Sequence, residues 1–300
     1  MTGPAVVDCH HHLWDLDNHV YEWLQADPVP DTFLGDYSPI CRNYLIDDYL
    51  ADSAPTELIK SVHVQCEFDP GNPAGETEWL QGIADRKGFP HDIVGFTDLA
   101  AQDVSQVLEA HACFPNIRGI RQNLNFDPDN SERSFADRGD YLSDPQWRKG
   151  FCLLERHGMS FDLQVLPAQL EDARPVVADH PGIPVVLNHA GLPFDRDVEA
   201  MEVWRSGMGL LAELPNTAVK LSGFAMVNPG WTRGSIRPLI LETISIFGVD
   251  RCMFASNFPV DGLNASYGDL FNVYSEIVAD FSEAERSALF GGNAERVYRL

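Results

Sequence analysis

Three consecutive histidines, His10, His11 and His12, follow an apolar pair near the start of the chain, in the stretch VDCHHHLWD. Side chains at positions i and i+2 of a β-strand face the same way. His10 and His12 are therefore predicted to share the inner face of a strand, with His11 turned outward to a helix layer. Two imidazoles at this spacing can bind one cation or hold one substrate oxygen. His189, which follows the apolar run PVVL, is expected to join this pair.

Polar side chains also follow the other apolar runs of the chain. Among them are Gln65, Arg121, Gln164, Ser222, Asn257 and Asp261. The guanidinium of Arg121, in an otherwise acidic protein, suits a substrate carboxylate or a polarised carbonyl. The alternative for Arg121 is a buried ion pair with Asp162 or Glu67. Gln65 and Gln164 are neutral, so they could serve only as hydrogen-bonding groups of the interior.

Eight short apolar runs rich in β-branched residues recur at intervals too long for hairpins. They cover residues 5–11, 59–66, 92–99, 117–124, 159–166, 184–190, 218–224 and 251–257. Amphipathic stretches of helical period lie between them, and several end in glycine, a helix C-cap signal. This alternation predicts the α/β class, with residues 1–300 forming one (β/α)8 TIM barrel domain. A doubly wound open sheet is the alternative, but no GxGxxG motif follows the first strand.

Two segments fall outside the alternation of strands and helices. Residues 13–42, after the first strand, are rich in aromatic residues and proline. They are predicted to form a lid, or else an aromatic flap that only shields one end of the barrel. Residues 282–300 are predicted to form a pair of C-terminal helices. Barrels carry their chemistry at the carboxyl ends of the strands, where the polar residues cluster, so the site is expected there.

The chain carries 45 Asp and Glu against 21 Lys and Arg, a formal charge of −24. Such a surface repels phosphate backbones and anionic lipids, so the expected partner is a small-molecule substrate and neither nucleic acid nor a membrane. The six scattered cysteines include no CxxC pair and are interpreted as reduced thiols. No signal peptide or apolar membrane span is recognisable, so a cytoplasmic location is expected; a homo-oligomer is compatible with the sequence.

Four motifs in order along the chain carry a family resemblance: DxHxHLW, RGIRQ, LNHAG and FASNFPVD. Together they resemble the amidohydrolase-related family of TIM-barrel hydrolases, in the branch that contains sugar lactonases and 2-pyrone-4,6-dicarboxylate lactonase. The resemblance covers nearly the whole chain. It implies that His10, His12 and His189 are the histidines of the active site and that Arg121 contacts the substrate.

The chain departs from the family pattern at the end of the eighth strand. The resemblance implies an aspartate there, as metal ligand or general base, but this chain has Asn257. An amide cannot take a proton at neutral pH. Either Asp261 reaches back into the pocket as the base, or a histidine takes the proton while Asn257 orients the water or the substrate. The histidine is preferred because imidazoles titrate near the working pH.

The resemblance implies a hydrolase that opens a lactone, a cyclic ester, of a small sugar acid or of an intermediate in aromatic degradation. His10, His12 and His189 could hold one divalent cation, with zinc the first choice, or act without a metal. The expected substrate-binding residues are Arg121, Gln65, Gln164, Trp14 and Ser222. The alternatives are a metal-dependent decarboxylase of a small aromatic acid and a barrel that binds a small ligand without turnover.

Overall fold

The chain forms one barrel of parallel strands in a computed structural model that describes residues 4–300. The strands are β1 (Val6–His11), β2 (Leu58–Val64), β3 (Asp92–Phe96), β4 (Ile117–Asn123), β5 (Ser160–Gln164), β6 (Val185–Leu187), β7 (Thr217–Leu221) and β8 (Cys252–Phe254). Each strand pairs in parallel with the next one along the chain. The predicted eight strands and their sequential order are confirmed.

Of the helices in the described part of the chain, nine lie between successive strands and three follow β8. They are α1 (Glu22–Gln25), α2 (Ile46–Ser53), α3 (Gly75–Lys87), α4 (Val104–His111), α5 (Pro145–His157), α6 (Leu170–Asp179), α7 (Val198–Ala212), α8 (Phe224–Val227), α9 (Arg233–Phe247), α10 (Tyr267–Ile277), α11 (Glu283–Ser287) and α12 (Asn293–Tyr298). Within residues 4–300 no helix combines the length and the apolar character that crossing a membrane requires.

The ends of α5 show how local sequence sets the helix boundaries. Asp144 precedes the helix and its carboxylate accepts a hydrogen bond from the backbone N–H of Gln146, while Pro145 occupies the first helical position. The helix ends at Gly158, whose φ of 61° lies in the left-handed region that glycine adopts freely. Trp147 and Phe151 are buried on the face that packs against the barrel.

Contacts between β1 and the segment after β8 close the barrel. The backbone N–H of Asn257 donates to the carbonyl of His10 at 2.8 Å, and that of His12 donates to the carbonyl of Phe258 at 2.7 Å. An isolated parallel bridge joins His11 to Phe258. The last link of the ring is therefore made by the same backbone that carries the histidines and Asn257.

Strands β6 and β8 are shorter than the predicted runs 184–190 and 251–257. His189 and Asn257 follow these strands with φ values of 53° and 55°. This left-handed conformation is incompatible with a strand, and for residues other than glycine it is uncommon and concentrated at functional sites. Both polar side chains therefore project from sharp turns at the carboxyl ends of the strands.

The two segments outside the alternation lie at opposite ends of the barrel. Residues 13–42 cover the end at which the strands terminate and contain α1 and a 3-10 turn at Ser38–Ile40. The C-terminal segment contains α11, a π turn at Ala288–Gly292 and α12. Ala294 and Tyr298 of α12 pack with the inward-facing residues Val7 and Val62 and fill the other end.

We predict that Gly150→Ala destabilises the fold and that Gly209→Ala does not. A Cβ at Gly150 in α5 would lie 2.0 Å from the backbone carbonyl oxygen of Leu99, whereas a Cβ at Gly209 in α7 meets no atom within 4 Å. The first substitution should lower the free energy of unfolding by about 1–3 kcal/mol. The second should raise it by up to about 1 kcal/mol because alanine has the higher helix propensity. Urea unfolding measures both, and equal stability of the two variants would contradict this packing.

Candidate active site

A cavity opens at the carboxyl ends of the strands, with about 580 Å³ of space between its lining atoms when the adjoining open solvent is included. Its polar lining comes from the barrel and consists of His12, Glu67, Arg121, Asn123, Gln164, His189 and Asn257. Its other lining side chains are apolar or weakly polar, namely Trp23, Phe33, Leu34, Cys66, Phe135, Met226 and Val260. One wall can therefore make hydrogen bonds to a ligand and the other can cover apolar ligand surface.

The three histidines singled out by their spacing meet at the floor of this cavity. The ring centres of His10 and His12 are 4.9 Å apart, and those of His10 and His189 are 4.6 Å apart. His11 points away from them, as its position in the strand predicts: it stacks on Tyr49 of α2 and contacts the hydroxyl of Ser61 at 3.0 Å.

The tautomer of His12 follows from its hydrogen bond. Its Nδ1 lies 2.7 Å from the carbonyl oxygen of Val64. A carbonyl can only accept, so Nδ1 carries the proton and Nε2 keeps a free lone pair. Burial, and then the positive charge of Arg121, hold the pKa of His12 well below its usual value. His12 is therefore a neutral imidazole able to accept a proton at the cavity floor.

His189 is fixed by the turn that follows β6 and by the end of β7. Its Nδ1 contacts the hydroxyl of Ser222 at 2.9 Å. A Cβ at Gly223, where φ is 72°, would lie 2.7 Å from the same nitrogen, so glycine is needed for this close approach. Burial lowers the pKa of His189 well below its usual value, with further lowering by Arg121 and Lys220. A second neutral imidazole thus lines the cavity.

His10 lies beneath the cavity, on a buried ion pair. The Lys220 ammonium is 2.5 Å from a carboxylate oxygen of Asp162 and 3.3 Å from Nδ1 of His10, and both charged side chains are fully buried. The Tyr298 hydroxyl donates to the same carboxylate at 2.9 Å. Lys220 was not among the predicted site residues, although it lies two positions before Ser222, and side chains at this spacing in a strand share a face.

Arg121 links the histidines to the cavity wall. Its Nη1 donates to the side chain of Gln164 at 3.2 Å and lies 3.5 Å from Nε2 of His10, and its Nη2 donates to the backbone carbonyl of Gln65. Among residues 4–300 no carboxylate lies within salt-bridge distance of it, and Asp162 pairs with Lys220 instead. The positive charge of the guanidinium is therefore not paired with a carboxylate and faces the cavity.

Asn257 and Asp261 form a hydrogen-bonded pair at the end of β8. The amide nitrogen of Asn257 donates to Oδ1 of Asp261 at 3.2 Å, and the backbone N–H of Met226 donates to the same oxygen at 2.8 Å. This leaves the carbonyl oxygen of Asn257 for the cavity. Asp261 is fully buried behind Asn257 and does not line the cavity, because the turn after β8 directs it toward α8. The structure thus does not place Asp261 where it could act on a bound water directly.

Three of the expected substrate-binding residues lie outside the cavity lining. Trp14 is fully buried and donates through its indole to the carbonyl of Arg42, so Trp23, not Trp14, forms the cavity wall. The side chain of Gln65 is buried and donates to Glu67 at 3.1 Å. Ser222 contacts His189 and supports it from behind. Arg121 and Gln164 line the cavity as expected.

The three histidines do not fit a divalent cation in this arrangement. Both ring nitrogens of His10 face cationic groups, Lys220 and Arg121. The end of β8 supplies an amide where a carboxylate would help neutralise a metal. In the part of the chain that the structure describes, the one group of three His, Cys, Asp or Glu ligand atoms within 4.8 Å of one another lies elsewhere.

This barrel, with imidazoles and an arginine at the carboxyl ends of its strands, is the architecture of a barrel hydrolase. The family described as Amidohydrolase matches residues 7–300. The chain therefore belongs to the amidohydrolase family and is a hydrolase of that family.

Relatives of similar length support this assignment. The chain is 46% identical to the uncharacterised protein y4mH of Sinorhizobium fredii, over all of both chains. It is 31% identical to an L-fucono-1,5-lactonase of Burkholderia multivorans, over 99% of this chain and 97% of that protein. An amidohydrolase from Burkholderia multivorans has two similar crystal structures, each covering 99% of both chains. One holds HEPES (TM-score 0.83, 28% identity) and the other holds zinc (TM-score 0.81, 27% identity).

We predict that Asp162→Asn destabilises the barrel more than Tyr298→Phe. The first change leaves the buried Lys220 ammonium without a counter-charge, which should cost about 3–5 kcal/mol. The second removes one neutral donor from the carboxylate and should cost about 1–2 kcal/mol. Urea unfolding of both variants at pH 7 checks the order, and a stable Asp162→Asn variant would show that Lys220 is not held as a buried cation.

Proposed function

We propose that this protein hydrolyses a lactone of about the size of a monosaccharide. The observation that carries the proposal is the neutral His12 imidazole, which presents a free Nε2 beside the Arg121 cation in a cavity that also holds His189 and Asn257. A base beside a fixed positive charge is what attack of water on an ester carbonyl requires. The similarity to an L-fucono-1,5-lactonase supports the same proposal.

In the proposed reaction His12 accepts a proton from the attacking water. The water oxygen bonds to the ring carbonyl carbon while its proton moves to Nε2 of His12. Arg121, together with His189, stabilises the negative charge that develops on the carbonyl oxygen. Collapse of the tetrahedral intermediate breaks the bond to the ring oxygen, which takes up a proton from the His12 imidazolium. The product is an open-chain hydroxy acid.

Asn257 is proposed to orient the attacking water. Its amide nitrogen is engaged by Asp261, so its carbonyl oxygen can accept a hydrogen bond from a water in the cavity. Asp261 then acts as a positioning residue, through the amide. In this proposal a histidine transfers the proton, and the water is oriented by the Asn257 amide, which stands where the family resemblance implies an aspartate.

The charges at the cavity favour a neutral lactone over a dianionic one. Glu67 and Arg121 are the two oppositely charged residues that line it. The Glu67 carboxylate accepts from Asn123 at 2.7 Å and from Gln65 at 3.1 Å. A substrate with two carboxylates would meet one cation and one anion, whereas the hydroxyl groups of a sugar lactone can donate to Glu67.

The segment 13–42 is proposed to act as the lid of this site. Trp23, Phe33 and Leu34 from this segment form part of the cavity lining. The indole of Trp23 donates to the carbonyl of Cys66 at 2.9 Å, and the hydroxyl of Tyr37 donates to the carbonyl of Trp23 at 3.0 Å. These contacts fix an apolar wall over the histidines, which would exclude bulk water from the reacting carbonyl.

The two other candidate functions receive less support from the geometry. A metal-dependent decarboxylase needs a firmly held cation, and the surroundings of His10 are cationic. A barrel that only binds ligands would not need a neutral imidazole with a free lone pair facing its cavity. Release of carbon dioxide from aromatic acids would favour the decarboxylase. Ligand binding without product would favour the barrel that only binds ligands.

The function is tested with a panel of lactones in which ring opening is followed by acid release. The wild-type protein should hydrolyse neutral sugar 1,5-lactones with a kcat/KM at least about tenfold above that for a pyrone dicarboxylate, since charge repulsion of this kind is worth a kcal/mol or more. His12→Ala and His189→Ala should each lower kcat by about 10²–10⁴.

His157→Ala, a partly buried residue of the last turn of α5 outside the cavity lining, is the control and should keep wild-type activity. Circular dichroism establishes that all three variants fold. Absence of turnover with every lactone, or near-wild-type rates in His12→Ala, would refute the assignment; preference for the dianion would refute the neutral substrate class.

We predict that Asp261→Asn changes the pH profile of the reaction. Burial raises the pKa of Asp261 to about 7. The wild-type kcat should therefore rise as the pH passes through about 7, because ionised Asp261 holds the Asn257 amide more strongly. In Asp261→Asn this rise, the limb of the pH profile near pH 7, should be absent. The limb that follows the deprotonation of His12 lies at lower pH in both proteins. A limb near pH 7 that survives in the variant would exclude Asp261 as its origin.

The same shift has a consequence for stability. The pKa of folded Asp261 exceeds the ordinary value of 3.8, so its folded form binds the proton more tightly. Protonated Asp261 therefore adds to the free energy of unfolding. This stabilisation is fully present below about pH 4 and is lost as the pH rises through about 7. Urea unfolding at pH 5 and pH 8 should show this loss in the wild type and a smaller one in Asp261→Asn.

A further inference from the structure

A second cluster of reactive side chains lies beside the cavity and takes no part in the proposed reaction. It consists of His63 on β2, Cys66 just after that strand, and Glu76 in the first turn of α3. One ligand atom from each side chain lies within 4.8 Å of the other two, and all three residues are buried. The Cys66 thiol is 3.2 Å from Oε1 of Glu76.

Two polar atoms of this cluster have no hydrogen-bonding partner. They are Nδ1 of His63 and Oε2 of Glu76. The remaining nitrogen of His63 accepts from the backbone N–H of Leu13 at 2.9 Å, and Oε1 of Glu76 accepts from Cys66 and from the hydroxyl of Tyr21. A buried polar atom without a partner costs free energy, and the cost is greater for a carboxylate than for a neutral group. The cluster is thus incomplete as a hydrogen-bonded network.

We propose that His63, Cys66 and Glu76 bind one zinc ion. Imidazole, thiolate and carboxylate are the three side-chain ligands that zinc takes in proteins. In a tetrahedral site with ordinary Zn–S and Zn–N distances, neighbouring ligand atoms are about 3.5 Å apart. The Cys66–Glu76 separation of 3.2 Å is close to this spacing, and the ligand atom of His63 lies within 4.8 Å of both.

The charge of the site matches that of the ion. A Cys66 thiolate and a Glu76 carboxylate carry two negative charges, and His63 is neutral, so a divalent ion leaves the buried site without net charge. Zinc displaces the protons of its thiol and carboxyl ligands, so the affinity for the ion should fall at acidic pH.

The unpartnered Nδ1 of His63 would bind the ion, so that Nε2 carries the ring proton and faces the backbone carbonyl of Leu13, 3.4 Å away. The ion would then join the end of β2 to the start of α3. Tyr21 reaches the same carboxylate from the segment 13–42, so the ion would also hold that segment over the cavity.

Cobalt substitution distinguishes this site from the three histidines at the cavity floor. The full-length protein is stripped with a chelator, then titrated with Co²⁺ and, separately, with Zn²⁺. A sulfur-to-cobalt charge-transfer band in the near ultraviolet reports thiolate ligation. The histidine site contains no sulfur, so cobalt bound there gives no such band. One zinc per chain and a higher melting temperature with zinc are expected.

Four variants complete the test. Cys66→Ser should remove the charge-transfer band, and Glu76→Gln should weaken zinc binding by about tenfold or more, since each loses one charged ligand. Cys252→Ser, at a buried cysteine of β8, and His189→Ala are the controls and should keep both the band and the stoichiometry. Glu76→Gln keeps the proposal testable if Cys66→Ser does not fold.

The proposal is overturned if the protein binds no zinc, if bound cobalt gives no charge-transfer band, or if the band survives in Cys66→Ser. It is also overturned if the band disappears in Cys252→Ser or zinc is lost in His189→Ala. None of these readouts uses lactone turnover, so a failure here is separate from a failure of the proposed function.

Discussion

The site depends on one buried ion pair, between Lys220 and Asp162, in the middle of the barrel. A lone ammonium in this position would lose its hydration without compensation, so strands β5 and β7 must be held at a fixed distance. The pair in turn fixes His10, which contacts Lys220 on one side and Arg121 on the other. Burial, with a further contribution from the positive charges of Lys220 and Arg121, lowers the pKa values of these histidines and keeps them neutral.

Neutral histidines give this barrel a different chemical character from that of a metal centre. In a metal site the cation supplies the charge that activates water, and carboxylates balance it. In the proposed reaction the fixed Arg121 cation supplies this charge, and the amide of Asn257 occupies the place where the family resemblance implies an aspartate. A carboxylate at the position of Asn257 would attract the Arg121 guanidinium and reduce the positive charge that faces the cavity.

Much of the barrel and part of the site could be predicted from the sequence. Strand phase placed His10 and His12 inward and His11 outward. The polar residues at the carboxyl ends of the strands indicated which end of the barrel carries the site. The same rule applied to β7 would have found Lys220. Loop residues lack such periodicity, so Trp14 was chosen where Trp23 forms the wall. The partnership of Cys66 with Glu76 joins a strand end to a helix, and no local motif indicates it.

The position of Tyr298 bears on how the chain reaches its native state. Its hydroxyl contacts Asp162, which lies 136 positions earlier in the chain, and its ring fills the base of the barrel with Val7 and Val62. All eight strands precede this residue in the chain, so during synthesis they emerge from the ribosome before it does. Until Tyr298 is in place, the Asp162 carboxylate lacks its phenolic donor and this end of the barrel stays open to water.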